Sequence, residues 1–174
     1  MIARFSAWDA RASVRLQIAR GPGLLRWAAI VLAHSGDSWF WLFGLGIVWL
    51  AGPEDWKGRV LLMAAAILVT AVLVMILKFT IRRQRPAGEW GAIYRRTDPH
   101  SFPSGHAARA FLLPVLALAT GPAWFVVALW VWAPLVGLSR VAMGVHYLSD
   151  IVAGAAFGAA IGLVFLQLAG FFFS

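Results

Sequence analysis

Three stretches of 18 residues or more carry no charged side chain: Val60 to Leu77, Ala110 to Ser139 and Ile151 to Ser174. A spanning helix needs about 20 mostly apolar residues, and a chain crossing a bilayer must satisfy its own backbone, which restricts it to helices or a closed barrel. Val60 to Leu77 reads as one spanning helix ending at Lys78. Ile151 to Ser174 reads as another, closed by Phe171, Phe172 and Phe173. Counted back to the turn at Pro103, the middle stretch is too long for one helix, and Gly121-Pro122 divides it into two. Ser38 to Pro53 is shorter and rich in aromatics (Trp39, Phe40, Trp41, Phe43, Trp49) and supplies a further span. Between Ala12 and Ala33 the apolar residues are interrupted by Arg15, Arg20 and Arg26, which suits a helix lying in the interface. The expected fold is therefore all-α: an integral membrane bundle of five spans behind a basic, interfacial segment over residues 1–35, with six spans as the alternative.

Composition agrees. Hydrophobic residues make up 61% and charged residues 13% of the 174 positions, against about a quarter charged in soluble domains. The length suits one membrane domain over residues 1–174, without a second folded unit. No cysteine is present, which excludes disulfides, thiolate catalysis and Cys-ligated metals. The formal charge of +8 reads in such a chain as loop topology, contact with anionic headgroups or an anion site rather than nucleic-acid binding. Residues 1–20 hold Arg4, Arg11, Arg15 and Arg20 without a continuous apolar core, unlike a cleaved signal peptide. Neither an internal repeat nor a low-complexity tract is apparent.

Alternating five spans brings the long basic loop from Arg82 to Phe102, the segment from Arg140 to Asp150 and the N-terminus to one membrane face. Lys78, Arg85 (followed by Pro86) and Arg140 then share that face and could converge on a small dianion. Arginine offers a planar fork to phosphate oxygens and lysine a point charge, although any one of them alone could be a basic helix end snorkelling to the interface. Pro103-Ser104-Gly105-His106 follows. Proline starts a helix well, and Ser-Gly just inside it presents a hydroxyl and backbone N–H groups to an anion, with His106 in the first turn to exchange a proton. A plain turn with a helix cap would use the same residues. Third comes Ser139-Arg140, five residues, His146, three residues, Asp150. His146 and Asp150 stand at i and i+4, on one face if the segment is helical. A carboxylate on one imidazole nitrogen fixes the tautomer and leaves the other free to attack; a structural ion pair is the alternative.

Taken in order, Lys78-x6-Arg85-Pro86, Pro-Ser-Gly-His and Ser-Arg-x5-His-x3-Asp resemble the type 2 phosphatidic acid phosphatase family, which shares its core with bacterial acid phosphatases and vanadium haloperoxidases. The matched region runs from Lys78 to Asp150. The resemblance implies that Lys78, Arg85 and Arg140, with Ser104 and the Gly105 backbone, hold the phosphate. It implies that His146 attacks phosphorus in line, that Asp150 orients His146, and that His106 protonates the leaving oxygen and then helps activate water. No cofactor is expected. The acids Asp9, Asp37, Glu54, Asp55, Glu89, Asp98 and Asp150 are scattered, and no two are spaced to chelate a metal with His106 and His146.

Arg109, one turn after His106, is a possible contact for phosphate or headgroup. Tyr94, Arg95, Arg96, Asp98 and His100 read as solvated loop that could meet the leaving group. Arg82 and Arg83 read as adding positive field without touching substrate. His34 and Asp37 are assigned no chemistry. The tryptophans read as interfacial anchors or packing.

The expected activity is metal-independent hydrolysis of a phosphomonoester or diphosphate on a membrane lipid through a phosphohistidine, since a site at the bilayer boundary suits a substrate whose tail stays in the membrane. A phosphotransferase would share the intermediate. A vanadium haloperoxidase fits the spans less well, and a transporter or scaffold leaves the ordered histidines to coincidence. The expected location is the bacterial inner membrane, on a face that the basic residues do not fix; oligomeric state is not legible.

Overall fold

The computed structural model describes residues 2–87 and 98–172. Seven helices are found among them: α1 (Ile2–Arg15), α2 (Leu24–Ser35), α3 (Ser38–Ala51), α4 (Glu54–Ile81), α5 (Gly105–Thr120), α6 (Ala123–Ala142) and α7 (Leu148–Phe172). The protein is an all-α integral membrane bundle. α4, α6 and the Leu148–Gly170 part of α7 are long and apolar enough to cross a membrane, whereas α3 and α5, at 14 and 16 residues, are shorter. Gly52-Pro53 joins α3 to α4 and Gly121-Pro122 joins α5 to α6, the second turn falling where the sequence placed it. Connections this short force antiparallel neighbours, so α3 runs opposite to α4 and α5 opposite to α6.

The basic N-terminal segment departs from expectation. Residues 12–33 are not one interfacial helix: α1 stops at Arg15, α2 starts at Leu24, and Gly21-Pro22-Gly23 lies between them. Proline disfavours helix in the residue before it, and Gly23 adopts φ 138°, open to glycine. The link is tied to the end of α6, Ala19 N–H donating to Ala142 O at 3.1 Å. Ala29 and Ala33 of α2 pack with Ala19, Met143 and Val145, and the end of α2 reaches Trp132 of α6 through Ser35, so α2 packs alongside the C-terminal half of α6. α1 has an inverted pattern. Its polar residues Asp9 and Ser13 are fully buried, while Phe5, Trp8 and Val14 face outward with Arg4, Arg11 and Arg15, as suits a helix bedded among headgroups.

The bundle keeps large apolar side chains on its outside, Phe43, Leu61, Val72, Trp124, Val152 and Leu163 among them, a surface matched to lipid rather than water. α5 is the central helix, buried nearly all round, and its Leu112, Leu113 and Leu116 meet Ile67 of α4, Leu129 of α6 and Ile161 of α7. α7 lies against α5 along three glycines at four-residue spacing. A Cβ on Gly154 would stand 2.4 Å from Ser104 O, on Gly158 1.9 Å from Ala108 O, and on Gly162 2.9 Å from Val115 Cβ. Small residues at this spacing let two helix backbones touch inside a membrane. The contact sets the start of α5 beside the start of α7, where two of the three motifs lie.

Candidate active site

The last turn of α4 buries Lys78, and the helix then stops at Arg82 in the left-handed conformation (φ 54°), whose N–H returns to Lys78 O at 2.9 Å. That turn sends Arg82 outward, where its Nε caps Phe79 O, and directs Arg83 and Arg85 inward. Arg85, 4% exposed, reaches four acceptors. Its Nε donates to Asp98 O (2.7 Å) and Nη2 to Asp98 Oδ2 (2.7 Å), while Nη1 donates to Val145 O (2.9 Å) and faces His146 Nε2 at 3.2 Å. Lys78 Nζ donates to the same Asp98 Oδ2. Two cations foreseen as phosphate ligands thus converge on one carboxylate oxygen, and Asp98, read from sequence as solvated loop, is the group they hold. Gly88 to Thr97, with Tyr94, Arg95 and Arg96, lies outside the described residues. His100 is half-buried, edge-on to the Phe79 ring.

Pro103 does not begin α5. The helix starts at Gly105, and Ser104 is its N-cap, with Oγ accepting from Ala107 N–H at 3.4 Å. Ser104 N–H donates to Asp150 O at 3.0 Å, tying the second motif to the third. His106, in the first turn, has Nε2 2.7 Å from Oδ1 of Asp37 in the α2–α3 elbow. Arg109, one turn on, is 9% exposed and donates from Nε to Gly36 O in the same elbow (3.1 Å). It holds protein backbone.

His146 is not helical. α6 ends at Ala142, Gly144 takes φ 71°, and the chain turns so that His146 precedes α7 while Asp150 sits in its first turn. The expected shared helix face is therefore absent, but the side chains still meet: His146 Nδ1 is 3.4 Å from Asp150 Oδ2, which also accepts from Tyr147 N–H at 2.8 Å. Their tautomer follows from chemistry. A guanidinium only donates, so Nε2 facing Arg85 presents its lone pair and Nδ1, facing the carboxylate, carries the hydrogen. Burial pushes the His146 imidazole down to about 3; the Asp150 contact opposes this, and the Arg85 and Arg140 charges add to it. The ring is neutral near pH 7. Arg140, 1% exposed, closes α6 near enough for both His106 and His146 to feel its charge. Ser139 turns its hydroxyl back to Val136 O (2.7 Å).

Behind Asp150 stands a network the sequence did not suggest. Arg83 Nη1 donates to Asp150 Oδ1 (2.7 Å) and Nη2 to Asp9 Oδ2 of α1 (2.6 Å), with the guanidinium 4.1 Å above the Tyr147 ring. Asp9 Oδ1 accepts from Ser149 N–H (3.0 Å), and Ser13 Oγ accepts from Leu148 N–H (2.8 Å). Arg83 is thus a brace with two carboxylates, not a remote source of field. The available signal was the i, i+4 polar pair Asp9 and Ser13. Asp37 carried none, since an aspartate before an apolar run reads as a helix cap. Among the described residues, no three His, Asp or Glu side chains gather as metal ligands would.

Comparison with known proteins bears on this arrangement. The sequence pattern of the PAP2 superfamily matches residues 59–173. Decaprenylphosphoryl-5-phosphoribose phosphatase of Mycobacterium tuberculosis is 35% identical over 153 residues, covering 86% of this chain and 82% of that protein. Undecaprenyl-diphosphatase of Sulfolobus acidocaldarius is 29% identical over 156 residues, covering 87% and 72%. Among solved structures, the PAP2-type phosphatidylglycerolphosphate phosphatase of Bacillus subtilis superposes with a TM-score of 0.76 at 26% identity, over 96% of this chain and 87% of that one.

Proposed function

The chain belongs to the PAP2 superfamily, and we propose that it is a lipid phosphatase that removes phosphate from a phosphomonoester or diphosphate carried on a membrane lipid, by way of a phosphohistidine and without a metal. One observation carries the assignment of roles: a buried neutral imidazole, His146, whose lone-pair nitrogen lies 3.2 Å from Arg85 while Arg85 and Lys78 grip one oxyanion. A phosphoryl group taking the place of the Asp98 carboxylate meets Lys78 and Arg85 as that oxygen does. Arg140, the Ser104 hydroxyl and the Gly105 N–H at the start of α5 complete its binding.

Nε2 of His146 then attacks phosphorus as the bond to the leaving oxygen breaks. Asp150 stabilises the ring cation that forms, and His106 supplies the proton to the leaving oxygen. In the second half water takes phosphorus from nitrogen, with His106 accepting its proton. The three cations balance charge on the equatorial oxygens throughout. The lipid-matched outer surface and relatives named for polyprenyl-linked and phosphatidylglycerol phosphates support a substrate anchored in the bilayer. Relatives from Mycobacterium tuberculosis and Bacillus subtilis support an inner-membrane location in a bacterium.

The test is inorganic phosphate release by protein in detergent with EDTA, over polyprenyl phosphates, polyprenyl diphosphates, phosphatidate and phosphatidylglycerol phosphate, beside His146→Ala. Release that survives the chelator and is lost in the variant is expected. Release that needs added Mg²⁺, or that persists in His146→Ala, overturns the mechanism.

A further inference from the structure

The elbow between α2 and α3 is anchored more heavily than a connection of two residues requires. Trp132 Nε1 of α6 donates to Ser35 Oγ (2.8 Å), Trp41 Nε1 to Ser35 O (2.9 Å), and Arg109 Nε of α5 to Gly36 O (3.1 Å). Gly36 lies so close to the neighbouring helices that a Cβ there would stand 2.8 Å from Val136 Cγ1 and 3.4 Å from His106 Cδ2. All of this presses Asp37 against the imidazole of His106. Asp37 occupies the N-cap of α3, where a carboxylate ordinarily bonds the first free N–H groups of its own helix, yet it makes no such bond. Its Oδ1 faces His106 Nε2 at 2.7 Å, and its Oδ2 accepts from His34 Nδ1 (2.9 Å) and Trp39 Nε1 (3.2 Å). The cap is forgone and the carboxylate serves the histidine. Burial alone would raise the Asp37 carboxyl, but the hydrogen bonds from His106 and His34 bring it well below the usual carboxylate range, so it is an anion at neutral pH.

We propose that Asp37 is the positioning residue of His106, giving the site a second histidine–carboxylate pair opposite His146 and Asp150. This rests on reading His106 as the general acid. An ionised carboxylate only accepts, so Nε2 carries its hydrogen toward Asp37 and Nδ1 is the nitrogen left to handle the substrate proton. The bound phosphate dianion and the Asp37 carboxylate together favour the protonated His106 ring. As the P–O bond breaks and the N–P bond to His146 forms, its Nδ1–H passes the proton to the leaving oxygen and the ring becomes neutral. In hydrolysis the Nδ1 lone pair takes a proton from water, restoring the cation. The Asp37 charge stabilises that cation and holds its ring orientation throughout.

The test uses two phosphomonoesters in the same detergent: dodecyl phosphate, whose alcohol needs a proton to leave, and the phosphate of a dodecyl-substituted nitrophenol, which leaves as a stable anion. Asp37→Asn keeps an acceptor and removes the charge. It should lower the rate of alcohol release in the first turnover, before the water attack common to both esters. The expected loss is about 10–100-fold for the alkyl ester and less than about threefold for the aryl ester, a part of the ~10²–10⁴-fold that general acids contribute. In a His106→Ala background the same change should add less than about twofold, because residues acting as a unit are not additive. Equal loss on both esters, with or without loss of folded protein, would make Asp37 a brace of the elbow and overturn the proposal, as would full activity on the alkyl ester. His106→Ala alone separates the two levels of the argument. If it spares first-turnover release from the aryl ester while Asp37→Asn does not, only the role of Asp37 falls; if it depresses first-turnover release from both esters alike, the general-acid reading falls first.

Discussion

The backbone seam between α5 and α7 allows a graded experiment. Gly154, Gly158, Gly162 and Gly170 all lie on α7, and alanine at each gains up to about 1 kcal/mol of helix propensity. The space differs: nothing lies within 4 Å of a Cβ at Gly170, while the nearest atom would be at 2.9 Å for Gly162, 2.4 Å for Gly154 and 1.9 Å for Gly158. At Gly158 the obstacle is a backbone carbonyl that cannot rotate away, so α7 must withdraw by about 1 Å merely to reach the shortest separation a Cβ tolerates. Such overpacking costs typically 1–3 kcal/mol. The same withdrawal stretches the 3.0 Å bond from Ser104 N–H to Asp150 O toward about 4 Å and carries Asp150 off the phosphate side of the site. A misplacement of that size costs on the order of 100-fold in rate, although Gly158 lies about two helical turns from Asp150. Phosphate release and the unfolding midpoint from tryptophan fluorescence, measured for the four Gly→Ala variants, should rank Gly170 as unchanged, then Gly162, Gly154 and Gly158 in increasing damage. Wild-type rate and stability for Gly158→Ala, or damage at Gly170 equal to that at Gly158, would refute the seam as the determinant of site geometry.

Two further outcomes follow from the site. Asp98→Asn removes the anion held by Lys78 and Arg85, so orthovanadate and inorganic phosphate should inhibit this variant several-fold more strongly than the wild type; equal or weaker inhibition would show that Asp98 does not compete for the cations. Stability should fall as pH is lowered from about 7 toward 4. The folded protein keeps His146 neutral down to about 3 while the unfolded chain takes up its proton near 6.5, and between those values the unfolded state binds more protons. A His146→Gln variant should show a flatter fall; an unchanged slope would remove His146 as the cause.

The motifs were legible because each fixes residue types at short range, and the charge-free runs made the bundle legible because lipid tolerates few alternatives. What escaped was long-range pairing. Asp37 and His106 are far apart in sequence, and nothing local distinguishes a capping aspartate from one that turns away from its helix. Asp9 read as one of several scattered acids and Arg83 as a source of positive field, since only the folded bundle brings them to Asp150. The expectation that residues 12–33 form one interfacial helix gave its arginines more weight than Gly21-Pro22-Gly23. The i, i+4 argument for His146 and Asp150 reached the right pair by the wrong geometry, because a turn through Gly144 brings the ring to the carboxylate just as well. The four-residue spacing of Gly154, Gly158 and Gly162 carried a signal of close helix packing that the sequence reading did not use.

The Asp9–Arg83–Asp150 network also has a consequence for biosynthesis. Its members come from α1, from the link after α4 and from the start of α7. During synthesis Asp9 and Arg83 therefore emerge before Asp150, and His146 meets its carboxylate only when the start of α7 packs into the bundle. A chain that stops short of Asp150 holds Lys78, Arg85 and His106 but lacks the carboxylate that faces His146, so the grouping of cations and histidines is complete only once the start of α7 has joined the bundle.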